Sequence, residues 1–412
     1  MTRIQSDTLL NLLEKLNISE SQVSEDELSS TITYIIKACR VPPLQNKDVP
    51  YTASDFEGVA NNAEIQLNVI LKIIEKICFA KRHEQHFTPL FIRNVVVNCL
   101  LVACEFIDEN WEWCNKITAA ASANVITKLC DVCNCKSAQQ LLNCSPTETV
   151  DKSSHNNGTP VAEKENALYY IKFILQKFSE LFNKNNWKLY PSLKMSYWWI
   201  LQHLNQRTLG EHLSYLLPPA LFILDDWEQQ NKILGIRCLF YILKTMPGAE
   251  LRWYGRAAVI YDALKPLLFL REAEVLSILY PAIIEVADVL ESDPSNTGKL
   301  KSESAHDVIL HHLLREMRHE QKLTLRSVYA ATLPRILSTM GIFVIRWSQD
   351  LMDVCSEYLA TFEAPTAADR INILRALQVY VRECWPQVHI DASSVVQMVV
   401  RFLYDVTADC AT

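Results

Sequence analysis

The sequence predicts an all-α fold of the HEAT/armadillo-like kind, a solenoid of irregular helix pairs. Three observations carry that expectation. Apolar residues recur at helical spacing along most of the chain. Glycine is scarce, 8 in 412 residues, where average usage is about 7%. After a polar stretch, helical patterns come in pairs that begin near residues 211, 255, 303 and 346, a step of about 43 to 48 residues that suits two-helix repeats. Scarce glycine also argues against β-hairpins and phosphate-cradling loops, which need positive φ.

The elements follow in order. Leu9, Leu10, Leu13 and Leu16 mark a first modest helix within residues 1 to 40, and Val41 to Ser54 reads as a loop. Ile65, Val69, Ile73 and Ile77 recur every four residues and place a helix over 61–81. Pro89 opens the next helix, and Phe91 to Ile107 is apolar nearly all round, which predicts a helix enclosed by neighbours. A further helix covers 116–132. Residues 145–165 are polar and read as a flexible linker. They separate an N-terminal helical region, 1–144, from a C-terminal solenoid, 166–412. Helices over 166–182 and 192–205 lead into the four later pairs. Asp226 with Gln229, and Thr366 with Asp369 behind Pro365, read as helix caps. Pro218, Pro219, Pro266, Pro281 and Pro334 interrupt helical patterns and should kink or end them.

Composition narrows the function. Hydrophobic residues make up 49% of the chain and charged residues 21%, enough for a large core. With 40 basic against 47 acidic residues and no basic run, no nucleic-acid partner is expected. The apolar run Val95–Cys104 is too short for a bilayer and contains Asn98, so no membrane partner is expected. Of 13 cysteines, Cys78, Cys99, Cys104, Cys238 and Cys355 lie in apolar helical stretches. They read as reduced thiols in a cytoplasmic protein, with the nucleus as a second location. Met1 to Ser6 is polar, unlike a signal peptide.

Enzyme motifs are missing. No P-loop, dinucleotide fingerprint or nucleophile elbow occurs. His83 and His86 are three apart, not the four of a zinc-protease helix, and read as a solvated helix end. His306, His311, His312 and His319 share a helix and its exit without an evident acidic partner, and read as a polar face. Cys130, Cys133, Cys135 and, further on, Cys144 could hold structural zinc, but a second C-x-x-C is missing and they read as reduced thiols at a helix end, with no metal assigned. A small zinc-dependent activity there is the enzymatic rival to a binding role. No catalytic residue and no cofactor is assigned. Tyr197-Trp198-Trp199 points one tryptophan inward and one outward.

The last predicted helix, Ser394–Thr407, carries Val395, Val396, Met398, Val399, Val400, Phe402, Leu403 and Val406. Their directions sweep about 200° of its surface. A terminal solenoid element ought to show water a polar face, so Val396, Val400 and Leu403 are candidate partner contacts. Burial against the preceding pair and self-association are the alternatives.

Leu224-Asp225-Asp226-Trp227-Glu228-Gln229-Gln230-Asn231-Lys232-Ile233-Leu234-Gly235-Ile236-Arg237-Cys238-Leu239 resembles the signature of the Tel-two-interacting protein two family. Tyr261-Asp262-Ala263-Leu264, Leu325-Arg326-Ser327-Val328-Tyr329-Ala330 and Trp385-Pro386 follow in matching order. The resemblance runs from about residue 190 to 405, and relatives continue beyond this chain's last residue. It implies a non-catalytic subunit of the TTT co-chaperone complex. The implied partners are Tel-two-interacting protein one and Tel-two. The implied role, alongside the ninety-kilodalton heat-shock chaperone, is to mature kinases related to phosphatidylinositol 3-kinase, and so to serve TOR and DNA-damage signalling. A generic HEAT adaptor of transport or phosphatase-scaffold type is the alternative. Within the signature, Asp225, Asp226, Asn231, Lys232 and Arg237 are candidate partner contacts, and Gly235 in mid-helix calls for a close helix crossing.

Overall fold

The structure, a computed structural model, describes residues 25–44, 49–83, 86–143, 170–292, 304–361 and 368–411. All regular structure among them is helical. The chain divides into two compact units, residues 1–219 and 220–412. The expected linker and the Leu9–Leu16 helix lie outside the described residues.

The first unit contains α1 (Glu25–Cys39), α2 (Val59–Arg82), α3 (Pro89–Cys104), α4 (Lys116–Val132), the short α5 (Ala138–Asn143), α6 (Tyr170–Leu181) and α7 (Pro191–His203). Thr88 caps α3 by accepting the Phe91 N–H at 3.3 Å, with Pro89 in the first turn, where its missing N–H costs nothing. Asn115 caps α4 by accepting the N–H groups of Ile117 and Thr118 at 2.9 and 2.8 Å. Apolar almost all round, α3 is the hub, and it packs on α1, α4, α6 and α7. Val96, Cys99, Leu100 and Val102 are fully buried. Helices that follow the expected linker in sequence therefore pack directly on one that precedes it.

The unit boundary falls inside α8 (Gln206–Leu224). Beyond it come α9 (Gln229–Thr245), the short α10 (Gly248–Trp253), α11 (Arg256–Leu264), α12 (Ala273–Glu291), α13 (Ala305–His319), α14 (Leu323–Met340), α15 (Ser348–Ala360), α16 (Ala368–Glu383) and α17 (Val388–Ala411). Their packing has a repeat. The second helices of successive pairs stack as α9, α12, α14 and α16. The first helices α13, α15 and α17 stack as the other layer, and α11, α13 and α15 each pack on the second helix of their own pair. This is the two-layer arrangement of helix-pair repeats. Pro218, Pro219, Pro281 and Pro334 sit inside continuous helices and end none of them. Pro266 lies in the 3-10 segment Lys265–Phe269 that terminates α11.

Residues Leu323–Ala360 are long and apolar enough in composition to cross a membrane. They fold as α14, a 3-10 segment over Gly341–Trp347 and α15, with Leu325, Leu333, Leu351 and Cys355 in the core of the second unit. Cys39, Cys99, Cys104, Cys238 and Cys355 are buried thiols. Burial pushes Cys99 and Cys355 up to about 12.

Candidate partner-docking surface

The turn between α8 and α9 arranges the signature residues differently from the expectation. Helix α9 begins at Gln229 with Glu228 at the N-cap, and no side chain caps it. Asp226 is therefore not the cap. It is 5% exposed, and its Oδ2 accepts from Asn231 Nδ2 at 2.6 Å. The same amide donates to Glu228 Oε2 at 2.7 Å. Lys232, a candidate partner contact, is half-buried. Its Nζ donates to the Trp227 carbonyl at 2.9 Å, in the turn just before its own helix. Asp226 and Asn231 thus hold the turn from inside, while Asp225 and Arg237 are exposed.

Gly235 sits where α9 crosses the end of α8. A Cβ there would lie 2.6 Å from Leu224 Cα and N, against rigid backbone. That close crossing is what a glycine in mid-helix permits.

Of the four histidines on α13, His311 and His319 are exposed as expected, and the other two are not. His306 and His312 are 7% and 8% exposed. His306 Nε2 lies 2.7 Å from Asp288 Oδ1, an acidic partner supplied by α12. His312 Nε2 lies 2.8 Å from the Leu268 carbonyl, and His311 stacks on Trp347. Sequence spacing hid these partners because both come from other elements. Trp198 and Trp199 are both half-buried.

Cys130, Cys133 and Cys135 lie at the end of α4. The Cys133 thiol donates to the Tyr170 hydroxyl at 3.3 Å, and the Cys135 thiol to the Cys133 carbonyl at 3.6 Å. Among the described residues no group of three or more His, Cys, Asp or Glu is placed to hold a metal ion. Cys144 lies outside them. A cleft of about 870 Å³ in the first unit is lined by residues that include Arg40, Gln66, Glu105, Tyr190 and Ser192. Its buried carboxylate, Glu105, accepts through Oε2 from Ser192 at 3.0 Å and from the Val41 N–H at 3.2 Å, while Oε1 faces Arg40 at 3.7 Å. Burial pushes the Glu105 carboxyl up, against the pull of Arg40, Val41 and Ser192.

The strongest surface feature is at the end of the second unit. On α17 the exposures are 60% for Val396, 58% for Val400, 54% for Leu403 and 71% for Tyr404, whereas Met398 on the opposite side is buried against the layer containing α15. Beside them α16 exposes Ile371 and Val381, and Trp385 follows it. Sequence reading found the α17 residues through their periodicity. It missed the α16 residues, which repeat at the same spacing as its core.

A family profile described as the Tti2 family matches residues 99–366. Over 228 residues the chain is 32% identical to TELO2-interacting protein 2 of Mus musculus, and over 227 residues 31% identical to that of Homo sapiens. Each match covers 55% of this chain, but 44% and 45% of those relatives, so it takes in less than half of their length. Among solved structures, the Kap95:Nup1 complex includes a chain that is 16% identical with a TM-score of 0.49, covering 90% of this chain and 39% of that one.

Proposed function

The chain belongs to the Tti2 family, and from that membership we propose that it is a non-catalytic scaffold subunit of the TTT co-chaperone complex. It works in the cytoplasm, with a second location in the nucleus. It holds Tel-two and Tel-two-interacting protein one, and through them supports the maturation of kinases related to phosphatidylinositol 3-kinase with the heat-shock chaperone. The relatives' name, TELO2-interacting protein 2, supports Tel-two as a partner. One observation carries the reading: aliphatic side chains on α17 face solvent at the end of a well-packed helix stack. Apolar patches of that kind mark interaction sites. Val396, Val400 and Leu403 form the contact, and the exposed Asp225 and Arg237, with Lys232, supply polar contacts. The buried ionisable groups already serve structure, as His306 does with Asp288.

The test is affinity purification of the tagged chain followed by mass spectrometry. Both sister subunits should be recovered in near-equal amounts, and Val396→Asp with Val400→Asp should abolish recovery while the circular dichroism spectrum stays unchanged. Absence of both subunits from the wild-type sample would leave a generic helix-repeat adaptor as the better description.

A further inference from the structure

The cleft of the first unit is lined by acceptors that lack donors. Gln66, early in α2, and Glu105, just after α3, both line it and are each 1% exposed. Gln66 Oε1 and Glu105 Oε1 are buried, and neither accepts a hydrogen bond. Ser192 and the Val41 N–H use only the other carboxylate oxygen. Arg40 does not fill the gap. Its Nε stands 3.7 Å from Glu105 Oε1, an ion pair too long for a hydrogen bond. Buried acceptors are normally satisfied, so two that line one cleft call for a ligand that brings donors.

Size, walls and charge narrow that ligand. The volume, about 870 Å³, falls within the range of small-molecule sites. Val41, Ile65 and Leu193 give the cleft apolar wall. The charged residues that line it are Lys37 and Arg40 against Glu57 and Glu105, two of each sign. Lys177, close enough to feel the Arg40 charge, has Glu180 to balance it. An uncharged ligand leaves that balance intact.

We propose that this cleft binds a small uncharged molecule by a primary carboxamide head, with an apolar body along Val41, Ile65 and Leu193. The NH2 of a carboxamide carries two donors, one for Gln66 Oε1 and one for Glu105 Oε1, and its carbonyl accepts from the Arg40 guanidinium. A hydroxyl brings one donor and leaves an acceptor orphaned. An ammonium ion would stand beside the Arg40 charge, and a carboxylate would face Glu105 with no proton to give. The site lies within the first unit, whereas α17 belongs to the second, so it stands or falls apart from the docking role.

The test titrates the purified full chain with benzamide, benzamidine and benzoate, three probes of nearly one shape whose heads differ in charge, and follows binding by NMR of the probe. Benzamide should bind with a dissociation constant on the order of 1 mM, in keeping with its size. The two charged probes should bind at least about tenfold more weakly. Gln66→Met, which keeps the length and removes the acceptor, and Arg40→Gln should each weaken benzamide by about tenfold. Melting curves establish that each variant folds. Arg40 is only half-buried, so its variant carries the test if Gln66→Met fails to fold. Wild-type protein that does not bind benzamide, binds all three probes alike or prefers a charged one would overturn the proposal. So would benzamide binding that neither variant weakens.

Discussion

Gly235 lowers the intrinsic helix stability of α9 by about 1 kcal/mol relative to alanine, yet the α8–α9 crossing requires it. Gly235→Ala places a methyl 2.6 Å from the Leu224 backbone, and the steric cost exceeds the gain in propensity. The variant should lose about 1–3 kcal/mol, read as a lower urea midpoint. The glycine was legible in sequence as a misfit, and its partner was not, because which backbone lies opposite is a tertiary fact. His312 makes the complementary point. Burial lowers its pKa from the ordinary value near 6.5. The Leu268 carbonyl and Glu316 oppose that effect, and Arg315 and His311 reinforce it. The unfolded chain therefore takes up its proton at a higher pH than the folded one. Stability is fully present above about 6.5 and is lost as pH falls through the folded value. His212 is lowered by burial in the same sense. His312→Gln should make the fall in melting temperature between pH 7 and pH 5 shallower without removing it.

At the scale of elements, hydrophobic periodicity located α2, α3, α4 and the later pairs, because each buries one stripe or its whole surface. Helix starts were less legible. A cap depends on where the chain leaves the turn, and α9 starts beyond Trp227, so the expected Asp226 cap became a buried acceptor instead. Helix α13 shows a cap with wider reach. Ser304 accepts the Asp307 N–H at 3.1 Å while Asp307 Oδ2 accepts the Ser304 N–H at 3.0 Å. The same carboxylate accepts from Arg346 at 3.0 Å and from the Trp347 indole at 2.9 Å. One side chain thus closes α13 and fastens the segment leading into α15. Burial works to raise the Asp307 pKa, but Trp347, Ser304 and Arg346 outweigh it and hold the carboxyl below its usual range. Asp307→Ala leaves a guanidinium and an indole N–H without their acceptor. It should cost about 2–4 kcal/mol in chemical denaturation, well above a simple cap loss of about 1 kcal/mol.

For the whole molecule, fold class was legible in composition and period, and the docking face only in part. The aliphatic sweep of α17 is visible in sequence because no single neighbour can cover it. Ile371 and Val381 look like ordinary core positions in the sequence, and only the packing of α16 shows that they are exposed. The two-unit division at Pro219 and Ala220 was not legible either, since packing of α6 and α7 on α3 leaves no periodic trace. Val396→Asp with Val400→Asp should reduce binding of a hydrophobic dye to the isolated chain and leave its melting temperature nearly unchanged, because both residues are already solvated.

The buried thiols make the protein its own recorder of opening. A sulfur held near 12, as at Cys99 and Cys355, is almost wholly protonated at neutral pH and shielded from alkylating reagents. It reacts only when its surroundings come apart. Cys99 belongs to the first unit and Cys355 to the second. The two alkylation rates, followed by peptide mass, would therefore time the loosening of each half separately, and a sister subunit seated on the far end should slow the Cys355 clock more than that of Cys99.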